Sequence, residues 1–152
     1  MTPEQEEFVR RMLWRALVER KDTPLWKGVW MTAIACHESG WGKHFPEGSY
    51  NYIGYHWVHG LDWEYVEATE GGTGRSQRYR KFASIIDMFT SLRYLIERSR
   101  LPGYVEARNL YERHGSRRTF IRGFSIQYCP ADPNHGIKVL AIYRQLLAAL
   151  AL

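Results

Sequence analysis

Apolar residues recur with helical spacing at the start of this chain. Thr2–Gln5 has the pattern of a helix N-terminus, with Thr2 as the N-cap and Gln5 at the third helical position. The first helix is predicted to run to about Arg20, and Pro24 favours a second one from Leu25 to about Glu38. Because the second stretch is apolar on most sides, we predict that it forms the central helix. The apolar positions of the first helix are Phe8, Met12, Leu13, Ala16 and Leu17.

The pattern changes between Gly40 and Phe82, where glycines are frequent and no helical period is sustained. Trp63–Thr69 alternates aromatic or β-branched residues with polar ones, which is typical of a strand. Gly71–Gly74 then predicts a turn, and Arg78–Phe82 a returning strand. We therefore predict a small β-hairpin lobe. Strand alternation places three residues on one of its faces: Tyr65, Glu67 and Thr69.

Helical spacing returns after the hairpin. Ser84–Asp87 begins a helix that is predicted to continue up to Pro102, and two shorter helices follow. Asp132-Pro133 starts the last helix. The residues predicted to pack inward from it are Ile137, Leu140, Ala141 and Leu147. The pattern indicates an α+β fold that is predominantly α-helical, as one domain over residues 1–152, with no repeats and no long linker.

The composition points to an anionic partner. The 152 residues carry a net charge of +5, and 14% of them are aromatic, including six Trp and ten Tyr. Nucleic acid, an acidic membrane face and a bacterial cell-wall polymer all fit such a charge. A basic cluster is typical of a solvated helix face, and since no nucleic-acid motif accompanies it, we expect no nucleic-acid partner. The cluster comprises Arg113, Arg117, Arg118 and Arg122.

The N-terminus, the longest apolar run and the two cysteines indicate where the protein is made and whether it is cross-linked. Met1–Glu7 is acidic and lacks the basic segment of a signal peptide, and the apolar run Leu25–Cys36 is interrupted by Lys27 and too short to span a bilayer. We expect a monomer synthesised in the cytoplasm, with no transmembrane segment. Cys36 and Cys129 form neither a disulfide framework nor a metal set, although one bridge between them is possible.

Candidate chemistry centres on Glu38, the last residue of the second predicted helix. A negative charge at a helix C-terminus is unfavourable, which suggests a functional reason for it, although exposed acids are also common. The glycines around Trp41 end the helix, and an indole beside a carboxyl favours its protonated form. A general acid needs that form. His37 adjoins Glu38, but no second ligand stands at a supporting spacing, so no metal or other cofactor is predicted.

Several short blocks, in this order along the chain, resemble the glucosaminidase family of peptidoglycan hydrolases. That family includes flagellar peptidoglycan hydrolases, bacterial autolysins and phage lysins, and it has a lysozyme-like α+β fold. The resemblance extends from about Phe8 to about Leu147. The blocks are Glu38–Gly42, Asn51–His56, Glu67 ahead of Gly71, Tyr79–Ser84 and Gln127–Pro133.

The resemblance implies roles for three residues. Glu38 corresponds to the general acid, Glu67 to the candidate second carboxylate, and Tyr128 to a wall residue of the catalytic groove. Glu64 and Glu70 are rivals of Glu67, but strand alternation points them to the other face if Glu67 faces the groove. The separation of the two carboxylates and the stereochemistry are left open, as is assistance by the N-acetyl group of the substrate.

The residues themselves indicate further sugar contacts. Trp41 and Tyr55 are candidates for stacking on sugar rings, and the amide of Asn51 for bonding an acetamido group. Two blocks depart from the family pattern. Ala33–Glu38 has Ile34 in place of a glutamine, and Ile53–His56 ends in an imidazole where the family has a lysine. Both changes leave the fine substrate specificity open.

The expected function is hydrolysis of the β-1,4 glycan backbone of peptidoglycan by an endo-β-N-acetylglucosaminidase. A phage endolysin, released to the cell wall through a membrane pore of the holin type, fits a chain made without a signal peptide. One alternative is an N-acetylmuramidase or lytic transglycosylase of the same lysozyme-like fold, and the second of these needs no second carboxylate. A more distant alternative is a non-catalytic module that binds cell wall or nucleic acid.

Overall fold

The computed structural model describes residues 1–17, 23–69 and 74–151. Over these residues it has six α-helices and one two-stranded antiparallel sheet, which confirms the predicted α+β class. None of the helices in this part of the chain combines the length and apolarity that a bilayer span requires. The elements are α1 (Pro3–Leu17), α2 (Leu25–Glu38), β1 (Tyr65–Thr69), β2 (Ser76–Arg80), α3 (Ile85–Glu97), α4 (Pro102–His114), α5 (Arg117–Tyr128) and α6 (His135–Ala149).

The predicted N-terminus of α1 is confirmed in detail. The backbone N–H of Thr2 donates to Oε1 of Gln5 over 2.9 Å, and the backbone N–H of Gln5 donates to Oγ1 of Thr2 over 3.3 Å. This reciprocal pair satisfies two of the donors that a helix start leaves free. The predicted helix end near Arg20 lies outside the described residues.

The predicted central helix, α2, has the bounds that the sequence indicated. Every residue of Gly28–Cys36 is buried, and α1 and α6 both pack against the helix. The indole of Trp30 meets the rings of Phe120 and Phe124 of α5 edge-on, at centroid distances of 5.0 and 4.8 Å. Because α2 is buried on nearly all sides, its C-terminal end is where a polar side chain can reach solvent.

The C-terminal helices differ from the prediction in two respects. α4 has 13 residues, as many as α3, so of the two helices predicted to be shorter only α5 is, by one residue. α6 begins at His135, two residues after Pro133, and its buried stripe starts at His135 itself. Ile137 and Ala141 therefore lie on the exposed side, contrary to the prediction. The buried positions are His135, Gly136, Val139, Leu140, Tyr143 and Leu146.

The predicted hairpin is present, but β1 begins two residues later than predicted and β2 lies two residues earlier, at Ser76–Arg80 instead of Arg78–Phe82. β1 and β2 pair in antiparallel register, with Glu67 opposite Arg78. The guanidinium of Arg80 lies 4.1 Å from the ring centre of Trp63 and 4.7 Å from that of Phe82. Cation–π contacts of this kind stabilise a lobe that has few apolar side chains to bury. Most of the predicted turn, Gly71–Gly74, and the rival acid Glu70 lie outside the described residues.

Asn51 attaches the hairpin to the loop that follows α2. Its Nδ2 donates to the backbone oxygens of Tyr55 and Arg80, both over 2.8 Å, and its Oδ1 accepts from the backbone N–H of Tyr55 over 2.9 Å. The residue is 1% exposed. A single buried amide thus fixes the loop from 51 to 55 against the end of β2.

The Asn51→Asp variant tests this attachment. A carboxylate cannot donate, so the buried oxygens of Tyr55 and Arg80 lose their side-chain partner, and we expect the free energy of unfolding to fall by about 2 kcal/mol or more. The same substitution at exposed Asn109 should change it by less than about 0.5 kcal/mol. Urea unfolding followed by circular dichroism measures both. Equal stability of the two variants would contradict the attachment.

Gly42 allows the turn after α2 to pack on α1. Its φ is +84°, and a Cβ atom there would lie 2.5 Å from Cδ2 of the Phe8 ring. Gly48 also has a left-handed φ, +73°, but a Cβ atom there would have no described atom within 4 Å. A substitution at Gly48 therefore adds backbone strain alone, whereas one at Gly42 adds both backbone strain and steric overlap.

We expect Gly48→Ala to destabilise the protein by about 1 kcal/mol, since alanine is strained in the left-handed region. Gly42→Ala should cost a further 1–3 kcal/mol, roughly, because the methyl group also displaces the Phe8 ring. Thermal and urea unfolding of the two variants check the difference. Equal losses would show that the turn is not packed against α1 as described.

Candidate active site

α2 ends at Glu38 because the next residues leave the helical conformation. Gly40, Trp41 and Gly42 all have left-handed backbone, with φ values of +55°, +63° and +84°. The hydroxyl of Ser39 accepts a hydrogen bond from the N–H of Gly42 over 2.8 Å, which holds this turn closed. The chain therefore turns away directly after Glu38 and leaves its carboxylate at the helix end.

The carboxylate of Glu38 is held from two sides. Its Oε1 is hydrogen-bonded to Nε2 of His135 over 2.7 Å, and its side chain is 22% exposed while that of His135 is 1% exposed. A Cβ atom on Gly54 would lie 3.1 Å from Oε2, and the φ of Gly54 is +65°. Glycine at position 54 thus lets the backbone pass close to the second oxygen.

The contact between Glu38 and His135 joins the ends of two helices. Glu38 is the last residue of α2 and His135 the first residue of α6. A carboxylate is disfavoured at the C-terminal end of its own helix and favoured at the N-terminal end of another. The position that looks unfavourable in the sequence is therefore compensated by α6. Sequence reasoning missed His135 because it lies 97 positions from Glu38.

A second histidine completes this corner. The ring of His37 lies 5.1 Å from that of His135, centroid to centroid, in an edge-on arrangement. Burial lowers the pKa of His37, against the opposing effect of the nearby Glu38 carboxylate. In His135, Nδ1 is buried and has no hydrogen-bond partner among the described residues. No histidine near His37 in the sequence has the spacing of a second ligand, but in the fold the imidazole of His135 lies next to it.

Glu38 lies in the wall of a cleft of about 1110 Å³. This volume is above the usual range of about 300–1,000 Å³ for small-molecule pockets, so the cleft has room for an oligomer. The segments that line it come from four parts of the chain. They are 43–47 after α2, 53–56 before the hairpin, Ala68, Thr69 and Tyr79 of the hairpin, and 128–131 at the C-terminal end of α5, together with Asn51, Leu95, Leu101 and Tyr104.

Tyr128, for which the resemblance implied a role as a wall residue, lines the cleft. Its hydroxyl donates to the backbone oxygen of Ile53 over 2.5 Å, and its ring lies 5.6 Å from that of His135 and 5.4 Å from that of Phe124. Burial raises the pKa of the Tyr128 phenol well above its usual value. The side chain is thus a protonated, fixed part of the wall.

The other predicted sugar contacts are divided between the cleft and the core. Tyr55 lines the cleft and is half-buried, and burial raises the pKa of its phenol. Asn51 also borders the cleft, but both of its amide N–H groups are bonded to backbone oxygens, so it holds the loop instead of offering a donor to a ligand. Trp41 packs against the core and is not among the residues that line the cleft.

Glu67 lies on the outer face of the hairpin. Its Oε1 accepts from Nε of Arg78 over 3.0 Å, and its side chain is 54% exposed. Ala68 and Tyr79, on the opposite face, line the cleft, as does Thr69 at the strand end. Glu67 therefore lies on the more exposed face of the strand and is not among the described residues that line the cleft, and its role as the second carboxylate stays a prediction. Its rival Glu64 forms an exposed ion pair with Lys81 over 2.9 Å.

Two groups that line the cleft were not singled out by sequence reasoning. Glu47 is the one carboxylate besides Glu38 among the described lining residues, and it is exposed. Tyr104 is buried, and burial raises the pKa of its phenol. Neither residue stands in a recognisable motif, so the sequence offered no signal for them. Cys129 also lines the cleft and is not bonded to Cys36; both thiols are free.

Comparison with known proteins gives matches in structure. No family model and no curated protein matches the chain. The glycoside hydrolase domain of FlgJ from Salmonella typhimurium aligns over 97% of this chain and 91% of its own, with 19% identity and a TM-score of 0.69. A peptidoglycan hydrolase from Sphingomonas sp. A1 aligns over 97% of this chain and 88% of its own, with 22% identity and a TM-score of 0.63.

An N-acetylmuramoyl-L-alanine amidase from Staphylococcus aureus also matches, over 95% of this chain but 42% of its own, with 17% identity and a TM-score of 0.71. Identities this low establish the fold and leave the chemistry to the residues of this chain. The resemblance that the sequence predicted is confirmed at that level. The chain has the lysozyme-like fold of glucosaminidase-type peptidoglycan hydrolase domains.

Proposed function

We propose that this protein is a peptidoglycan hydrolase that cleaves the β-1,4 glycan backbone as an endo-β-N-acetylglucosaminidase, with Glu38 as the general acid. One observation carries the proposal: a half-buried carboxylate lies in the wall of a large cleft, with one oxygen bonded to His135 and the other beside the backbone of Gly54. The shared fold supports the substrate class.

Glycoside hydrolysis needs a proton on the leaving oxygen as the bond to the anomeric carbon breaks. Glu38 is suited to deliver it, because its carboxyl is 22% exposed and therefore reachable from the cleft, while His135 restricts its rotation. Positioning of this kind is what makes a general acid effective. His135 is thus a positioning residue for the acid.

The positive charge that develops at the anomeric carbon needs a second group. Glu67 is bonded to Arg78 on the outer face of the hairpin and would have to leave that partner to act. The sugar's own acetamido group can take this role in substrate-assisted hydrolysis. We propose that mechanism here, with Glu38 as the single enzyme carboxylate that acts directly.

Tyrosines on the cleft walls provide the sugar-binding surface. Burial raises the pKa of Tyr55, Tyr104 and Tyr128, so these phenols stay protonated at neutral pH and their rings present apolar faces. Aromatic rings pack against the C–H faces of pyranose sugars through the same apolar and dispersion forces that pack cores. The net charge of +5 favours approach to anionic wall polymers, in keeping with a cell-wall lysin such as a phage endolysin.

The outward position of Glu67 also favours a second candidate, a lytic transglycosylase. That reaction uses one acid and closes a 1,6-anhydro ring on the sugar in place of water attack. Mass spectrometry of a digest of purified peptidoglycan separates the two. New reducing-end N-acetylglucosamine supports the glucosaminidase, and 1,6-anhydro products support the transglycosylase.

Glu38→Gln should reduce lysis of purified cell walls by about 10²–10⁴-fold, since an amide cannot supply the proton. The matched control is Glu106→Gln, because Glu106 is exposed on α4 and pairs with Arg113 away from the cleft. A turbidity assay measures the rates, and circular dichroism verifies that both variants are folded. Undiminished lysis by a folded Glu38→Gln variant would overturn the enzymatic proposal.

Glu67→Gln and Glu47→Gln test whether a second enzyme carboxylate takes part. If the acetamido group of the substrate stabilises the transition state, each variant should keep its rate within about threefold of the wild type, which corresponds to less than ~1 kcal/mol. The same turbidity assay applies. A loss in either variant as large as that of Glu38→Gln would identify that residue as the second carboxylate and refute the assisted mechanism.

A further inference from the structure

Three side chains of metal-binding type converge where α2 ends and α6 begins. His37, Glu38 and His135 each offer one ligand atom, and these atoms all lie within 4.8 Å of one another. Neighbouring residues on a helix point about 100° apart, so His37 and Glu38 do not form a site by themselves. The imidazole of His135, brought in by α6, lies close to both.

His135 offers one ring nitrogen to this cluster. The side chain is 1% exposed, and its Nε2 is bonded to Glu38, while Nδ1 is buried with no hydrogen-bond partner among the described residues. The two nitrogens of an imidazole point in diverging directions, so an ion between Glu38 and His135 is bound by Nε2 and not by Nδ1. What points to a site is the convergence of the three side chains.

We propose that His37, Glu38 and His135 form a binding site for a divalent transition-metal ion of the zinc class. Two imidazoles and one carboxylate make a ligand set that Zn²⁺ accepts, whereas Ca²⁺ and Mg²⁺ prefer oxygen ligands. Ligands of a tetrahedral Zn²⁺ stand about 3.4 Å apart. The 2.7 Å contact between Glu38 and His135 therefore opens slightly on binding, and the wider distances shorten.

The surrounding charges are compatible with a cation. The ammonium of Lys138 is bonded to Oδ2 of Asp132 over 2.7 Å, so its charge is largely balanced. The carboxylate of Glu38 remains to neutralise part of the charge of an incoming ion. Because Glu38 lines the cleft, an ion reaches the site through the opening that a glycan strand would use.

An ion at this site would occupy the carboxylate that is proposed to donate the proton. Zinc should therefore inhibit wall lysis, a consequence that rests on the proposed function of Glu38. Binding of the metal does not rest on it. The two hypotheses can be measured separately.

The binding experiment uses the full chain without an affinity tag, freed of metal with EDTA and dialysed, and titrated with ZnCl₂ in a calorimeter. We expect one ion per chain. His37→Asn should weaken binding by at least about tenfold, since loss of a ligand costs no less than loss of an outer-sphere partner. His56→Asn is the matched control, because this imidazole lines the same cleft outside the cluster and its loss should leave the affinity unchanged. Circular dichroism checks the fold of each variant.

Absence of saturable binding by the wild type, unchanged affinity in His37→Asn, or equal weakening in both variants would overturn the site. Wall lysis is then measured on the metal-free wild type with and without ZnCl₂. Inhibition by zinc that EDTA reverses supports the hypothesis that the ion occupies the Glu38 carboxylate. Binding of zinc without inhibition of lysis would overturn that hypothesis. If the metal-free protein shows no lysis, the result counts against the proposed function but not against the metal site.

Discussion

The burial of α2 is the constraint on which the rest of the molecule depends. A helix surrounded by other elements over Gly28–Cys36 can place a charged residue only at its end, where the packing opens. The left-handed backbone after Glu38 stops the helix at that point, and α6 arrives with its N-terminal end towards the carboxylate. The cleft, the acid and its histidine partner all follow from where this one helix ends.

Local signals in the sequence were sufficient for the elements. The Thr2 cap, the proline before α2, the Ser84 cap and the strand alternation each act over a few residues, so their outcomes could be predicted. The inward face of α6 could not be predicted, because apolar residues occur on more than one side of this helix and tertiary packing decides which of them are buried. The buried stripe includes His135 and Gly136, which an apolar pattern does not identify.

In the candidate site, too, some features could be predicted from the sequence and others depend on tertiary packing. Glu38 was identified from a conflict with helix electrostatics, and Tyr128 from the resemblance, and both lie on the cleft. The pairing of Glu38 with His135, the outward position of Glu67 and the internal use of the Asn51 amide are tertiary facts. Glu38 and His135 are 97 positions apart, and Asn51 and Arg80 are 29 positions apart, so their contacts depend on how distant segments pack. The orientation of Glu67 depends on which face of the sheet is turned to the rest of the protein.

The way in which the hairpin is attached has a consequence for how such a protein can diversify. In the described part of the chain, neither strand packs extensively on a helix, and backbone hydrogen bonds and the Asn51 amide hold the lobe. Main-chain bonds do not depend on the identity of the strand side chains. The lobe can therefore accept substitutions on its cleft-facing side while these main-chain bonds remain, which makes it a natural place for selection or engineering to alter which ligands the cleft accepts.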